Sequence, residues 1–284
     1  MTVDKIDLYG FCRHERGSAQ GGHMSVFAQH TPDAVSLNRT RPAVLILPGG
    51  GYSHTSLRES ESVAVRFVAA GYAVFVLHYS CAPDRFPVAL RESAMAMAYI
   101  RQNASKYGIN HHMVAALGFS AGGHLCGCLG TMYDCQEVSD LGNPEDLRPD
   151  ALALCYPVAI SWGKTHKGSF DNLCGENHNL RENLSLDKLV RSDMPPVFLW
   201  HTRSDESVPC RNSLILAVEL EKAGVDFAMH IYRKGPHGLS TADVMAYPAY
   251  GLPEISRDVT GWVDGCINFF EEIGLKITDN EVRV

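Results

Sequence analysis

The sequence predicts an α/β protein, a mostly parallel central sheet with helices on both faces, and three observations carry that expectation. Short apolar runs rich in Val, Ile and Leu alternate with longer helical patterns, as the strands and crossover helices of a parallel sheet do. Glycines stand where the helical patterns stop. The 284 residues, 45% hydrophobic and 20% charged, supply a sizeable core and exclude disordered, collagen-like and coiled-coil readings.

The first 40 residues hold Gly17, Gly21 and Gly22 among polar residues, so they read as a meandering antiparallel edge rather than a helix. The first apolar strand is 43–47. A helix at 61–70, with Val63, Phe67 and Val68 apolar and Gly71 as its stop, crosses over to strand 73–77. A helix at 89–106, repeating Ala, Met and Ile before Gly108, leads to strand 114–118. The polar stretch 134–149, with Gly142 and Pro144, is a loop before strand 151–155. Residues 157–196 form the longest stretch without a strong strand, with Gly163, Gly168, Gly175 and a short helical pattern near 184–190. They read as a lid-like or wall-forming excursion over one edge of the sheet. Strand 197–202, helix 213–223 ending at Gly224, strand 227–232 and a last helix at 262–273 before Gly274 complete the set. Without an internal repeat or low-complexity linker, residues 1–284 read as a single domain carrying that excursion.

The balance of 25 basic against 32 acidic residues gives a formal net charge of -7, which offers phosphate backbones and anionic lipid no electrostatic welcome. Neither nucleic acid nor a membrane is an expected partner. Met1 to Gly10 carries Asp4, Lys5 and Asp7 without an apolar core, unlike a secretory signal. No apolar run approaches the roughly 18 residues of a membrane helix. The nine cysteines are scattered, with Cys126 and Cys128 the one close pair and no paired CxxC spacing. Reduced thiols in a cytoplasmic protein are the expectation.

The sharpest motif is Gly118-Phe119-Ser120-Ala121-Gly122, placed where strand 114–118 meets a helical pattern. A tight strand-to-helix turn strains the serine backbone, and flanking glycines remove the Cβ atoms that would clash. Ser120 then stands exposed at the carboxyl edge of the sheet as a candidate nucleophile. The second motif is Pro48-Gly49-Gly50-Gly51-Tyr52, directly after strand 43–47. The N–H groups of Gly50 and Gly51, with that of Ala121, are candidate donors to the negative oxygen that develops in acyl transfer. A phosphate cradle is the rival, but no Lys-Ser or Lys-Thr follows and residues 49–54 do not complete GxGxxG. A plain turn is the other alternative.

A serine nucleophile needs a base and an acid that fixes the base's tautomer. Asp205 follows strand 197–202 and His237 follows strand 227–232 in a glycine-rich loop. Glu206 competes with Asp205, because loop register cannot be read from sequence. Among the thirteen histidines, His124 reads as packed or hydrogen-bonded against the sheet, His111 and His112 as solvated loop residues, and His54 as lining a pocket mouth beside Tyr52. No HExxH spacing exists, so metal catalysis is not expected.

On Pro48 to Tyr52, Gly118 to Gly123, Asp205 and His237, the sequence resembles the α/β-hydrolase esterases, in particular the acetyl esterase and acetylxylan-esterase-like branch related to hormone-sensitive-lipase-type enzymes. The similarity runs from about residue 41 to 270. The order Ser, Asp, His is that of the fold. The resemblance implies a triad of Ser120, Asp205 and His237 and an oxyanion hole of Gly50, Gly51 and Ala121. One departure is Pro48, where many lipase-like relatives carry histidine. It resembles the carbohydrate-esterase side of the group, and an N-terminal segment that does not read as the helical cap of the lipase-like enzymes argues against a deep acyl tunnel. Trp162 is then a candidate for sugar stacking, with a core or surface role as its alternative. The expected activity is removal of short acyl groups, acetyl above all, from a small-molecule or oligosaccharide ester, with no metal or organic cofactor. A serine peptidase and a non-catalytic binding protein on the same scaffold are the rival readings.

Overall fold

The computed structural model describes residues 2–29, 39–247 and 254–279. It opens with β1 (Thr2–Asp7), a short helix α1 (Leu8–Cys12) and β2 (His23–Ala28), paired antiparallel as the edge that the glycine-rich start predicts. The helix escapes a reading based on glycine content: Asp7 caps it by accepting from the Tyr9 N–H at 3.2 Å. There follow β3 (Arg39–Leu47), α2 (Glu61–Ala69), β4 (Ala73–His78), α3 (Val88–Gln102), β5 (Ile109–Phe119), α4 (Ala121–Met132), α5 (Pro144–Leu147) and β6 (Ala151–Cys155). The stretch 157–196 contains three short helices, α6 (Lys167–Cys174), α7 (His178–Asn183) and α8 (Leu186–Leu189). The chain then runs through β7 (Val197–Thr202), α9 (Arg211–Ala223), β8 (Phe227–Tyr232), α10 (Trp262–Glu272) and a two-residue strand β9 (Thr278–Asp279).

The sheet order is β1-β2-β4-β3-β5-β6-β7-β8, with β9 paired to the start of β3. From β4 to β8 every neighbouring pair is parallel, while β1, β2 and β4 pair antiparallel. Side chains alternate faces along each strand. Leu45, Leu47, Phe75, Leu77 and Ala116 pack with α3, α4 and α9 on one face, and Val44, Ile46, Val74, Val76 and Leu117 pack with α2 and α10 on the other. Burial on both faces explains why these strands are continuously apolar in sequence.

Three expectations need correction. The helix predicted at 89–106 ends at Gln102, with a separate 3-10 turn at Ser105–Tyr107. The polar stretch 134–149 includes the single-turn helix α5, with Pro144 at its start. His111 and His112 are exposed as expected, but they belong to β5, which begins before its apolar half.

Candidate active site

The carboxyl ends of β3, β5, β7 and β8 converge on one edge of the sheet, the usual place for a site in a parallel α/β fold. Ser120 sits in the turn between β5 and α4 with φ 53° and ψ −116°. A non-glycine residue in such a conformation costs roughly 1–3 kcal/mol. The turn is held by the Ser120 N–H donating to Cys155 O at 2.9 Å, and by Ser120 O accepting from His124 N at 3.0 Å and Val158 N at 3.1 Å. The flanking glycines have the predicted reason: a Cβ on Gly118 would lie 2.1 Å from Gly122 O, and one on Gly122 2.1 Å from Leu47 O.

His237, in the loop after β8, places Nε2 2.7 Å from Ser120 Oγ and Nδ1 2.6 Å from Asp205 Oδ2. A carboxylate only accepts, so Nδ1 carries the proton and Nε2 offers a lone pair to the Ser120 hydroxyl. This arrangement can move a proton from Ser120 to His237. The loop is anchored where Gly238 O accepts from Arg58 Nη1 at 3.2 Å and from the Tyr247 hydroxyl at 2.8 Å.

Asp205 is buried, and Oδ1 accepts from Ser207 N at 3.0 Å and Val208 N at 2.9 Å. Oδ2 also lies 3.2 Å from His201 Nε2, which donates to Val208 O at 2.8 Å as well. Burial opposes ionisation of Asp205, but the hydrogen bonds to His201 and His237 outweigh it and hold the carboxyl well below its ordinary range. Glu206 is exposed, and the carboxylate that meets His237 belongs to Asp205.

The glycine loop is oriented by its carbonyls. Gly49 O accepts from Ser56 N at 2.9 Å, and Gly50 O from Ser53 N at 3.0 Å and Ser53 Oγ at 2.8 Å. In a trans peptide the N–H points opposite the carbonyl, so the N–H groups of Gly50 and Gly51 face away from those bonds. The same argument turns the Ala121 N–H away from the Ser120 carbonyl. The first turn of α4 offers that N–H no intrahelical acceptor.

Gly50, Gly51, Ser120 and His237 line a cavity of about 430 Å³. The sequence-predicted His54 is in its wall, joined by Arg58, His166, Asn172 and Ser207, which the sequence reading did not single out. Asn172 Nδ2 donates to Gly51 O at 2.8 Å and so steadies the glycine loop from α6. Two predicted binding residues lie elsewhere. Tyr52, at φ 56°, turns its ring inward, where the hydroxyl meets His124 Nδ1 at 2.8 Å. Trp162 is 49% exposed, donates Nε1–H to Asp187 Oδ2 at 2.9 Å and is not in the cavity wall. His124 is buried, as expected, with Nε2 donating to Leu184 O at 2.7 Å.

One buried carboxyl escapes sequence reading. Glu59 Oε2 accepts from the Gly49 N–H at 2.7 Å and Oε1 from the Tyr156 hydroxyl at 2.7 Å. Tyr156 in turn accepts from Ser240 N at 2.9 Å, three residues past His237. Burial raises the Glu59 pKa against the pull of these hydrogen bonds. In the run Leu57-Arg58-Glu59-Ser60-Glu61 it looks like a solvated helix start, and no sequence signal separates it from Glu61. Among the described residues no cluster of three or more His, Cys, Asp or Glu could hold a metal ion, and no helix is long and apolar enough to cross a membrane.

The sheet and its carboxyl-edge Ser120–His237–Asp205 contact are those of an α/β hydrolase. The BD-FAE family matches residues 30–220, and the chain belongs to that family. It is 36% identical over 230 residues to endo-1,4-beta-xylanase B of Butyrivibrio fibrisolvens, covering 78% of this chain and 36% of that protein. It is 27% identical over 234 residues to an acetylxylan esterase of Xylanibacter ruminicola, covering 80% of this chain and 46% of that protein. The chain thus spans less than half the length of these two relatives. An acetyl ester-xyloside bifunctional hydrolase from Caldicellulosiruptor lactoaceticus superposes with TM-score 0.78 at 32% identity, covering 96% of this chain and 97% of the other.

Proposed function

We propose that this protein is a serine carboxylic-ester hydrolase that removes short acyl groups, acetyl above all, from a hydroxylated substrate such as an acetylated oligosaccharide. The single observation that carries the reading is the continuous hydrogen-bonded line from Ser120 Oγ through His237 to the buried Asp205. Relatives named as an acetylxylan esterase and an acetyl ester-xyloside hydrolase support the substrate class. The polar cavity wall of His54, His166, Asn172 and Ser207 supports a hydroxylated alcohol and a short acyl group.

In this mechanism Ser120 Oγ attacks the ester carbonyl carbon as His237 Nε2 takes its proton. The carbonyl π pair moves onto oxygen, which the N–H groups of Gly50, Gly51 and Ala121 hold. The tetrahedral intermediate collapses, the C–O bond to the alcohol breaks, and His237 gives its proton to the leaving oxygen. Asp205 keeps the imidazole in register and stabilises its charged form. Water then repeats the sequence on the acyl-enzyme and releases the acid. All nine cysteines are free, which supports the proposed cytoplasmic setting. The test is a panel of acetyl esters with wild type and Ser120→Ala. Turnover is expected in the first alone; equal turnover in both rejects the assignment.

A further inference from the structure

A second cavity, of about 260 Å³, adjoins the one at Ser120. The two share Ser53 and His54, so they are neighbours bordered by the tip of the glycine loop. Beyond His54 its walls come from Thr55, from Gln20 and His23 at the entry to β2, and from His78 and the segment after β4, where Ser80 is joined by Tyr79, Cys81 and Ala82. No Asp, Glu, Lys or Arg lines it. The His23 and His78 rings are stacked, 4.8 Å between centroids at 18°. Burial, reinforced by neighbouring positive charge, lowers the pKa of both, which keeps them neutral near pH 7.

This lining selects a chemistry. An anion would want a guanidinium or ammonium, and a fatty acyl chain would want continuous hydrocarbon. The Ser80 hydroxyl is committed to Glu92 Oε1 and the Gly21 N–H, but the Gln20 amide, the Thr55 hydroxyl and the imidazoles offer neutral donors and acceptors side by side, which is what the hydroxyls of a neutral sugar ring require. The position adds a second constraint, because Ser53 and His54 border both cavities and place a group here beside one held at Ser120.

We infer that the second cavity is a subsite for a neighbouring sugar unit, so that the enzyme acts on an acylated oligosaccharide held across both cavities rather than on an isolated sugar ester. The inference rests on the esterase reading above and deepens it.

The test compares kcat/KM for acetylated xylose and acetylated xylobiose in wild type, Thr55→Trp and Gln20→Ala. Thr55 and Gln20 line the second cavity and not the first. Wild type is expected to favour the disaccharide about tenfold, equivalent to about 1.4 kcal/mol, mainly through KM. Both variants should bring the ratio close to one, Thr55→Trp by filling the cavity and Gln20→Ala by removing an amide. Circular dichroism melts identify a variant that has lost its fold, and the small truncation decides if the bulky one unfolds. A wild-type ratio near one, or an undiminished preference in a folded variant, overturns the subsite. Hydrolysis of p-nitrophenyl acetate without release from either sugar overturns the carbohydrate reading and the subsite with it. Absence of any ester turnover overturns the enzyme assignment itself.

Discussion

The Glu59 carboxylate accepts from the Gly49 N–H at 2.7 Å beneath the glycine loop, and its other oxygen accepts from the Tyr156 hydroxyl at 2.7 Å. Because Tyr156 already accepts from Ser240 N, its proton is committed to Glu59. Two acceptor oxygens therefore face two donors, joining the glycine loop to the segment that follows His237.

A Glu59→Gln variant keeps the shape but sets an NH2 group against one of those donors. Displacement of catalytic groups by about 1 Å can cost on the order of a hundredfold. The expected result is a kcat lowered about tenfold to a hundredfold with KM within about threefold, measured on a soluble acetyl ester. An unchanged kcat, or a loss confined to KM, would contradict this positioning role.

Asp205 and Glu206 differ sharply in environment, one buried against His237 and His201, the other exposed. Asp205→Asn should lower kcat by about four orders of magnitude through loss of the charge and the enforced tautomer. Glu206→Gln should remain within about twofold of wild type, as surface substitutions usually do. Parallel steady-state kinetics decide; comparable losses in the two variants would refute the assignment.

His124 gives the stability a pH dependence. Burial pushes its pKa down to about 4, against a partial offset from its bond to Leu184 O. The unfolded chain binds this proton near pH 6.5 and the folded chain does not, so stability is lost as pH falls from about 6.5 towards 4. At about 1.36 kcal/mol per unit the loss is on the order of 3 kcal/mol. Denaturant melts at pH 7 and pH 4.5 should diverge more in wild type than in a folded His124→Gln variant. An equal pH dependence in both would show that another group is responsible.

Acyl length is read from the cavity wall. A buried chain gains roughly 0.8 kcal/mol per CH2 only where hydrocarbon receives it, and His54, His166, Asn172 and Ser207 do not supply that. From acetate to octanoate, kcat/KM should stay flat or fall. A steady rise with chain length would mean that an apolar channel opens near Ser120.

Much of this arrangement is legible in the sequence because its causes are local. Strands buried on both faces need continuous apolar runs, and β6 and β7 coincide with the predicted 151–155 and 197–202; the half-exposed edge strand β8 also coincides with 227–232. Ser120 is marked by the glycines that its tight turn demands. Partnerships made by folding are not visible. The direction of Tyr52 depends on a backbone φ of 56°, and His201, which reads as one more strand residue, becomes a second partner of Asp205. The value of Glu59 comes from Gly49 and Tyr156, 10 and 97 residues away.

The proposed mechanism stands on Ser120 as a nucleophile activated by His237. Treatment of the folded protein with a fluorophosphonate, followed by mass spectrometry of its peptides, tests this most directly. One stoichiometric phosphonyl adduct on Ser120 is expected, strongly slowed in His237→Ala. An unlabelled Ser120, or an adduct carried by another residue with Ser120 untouched, would contradict it.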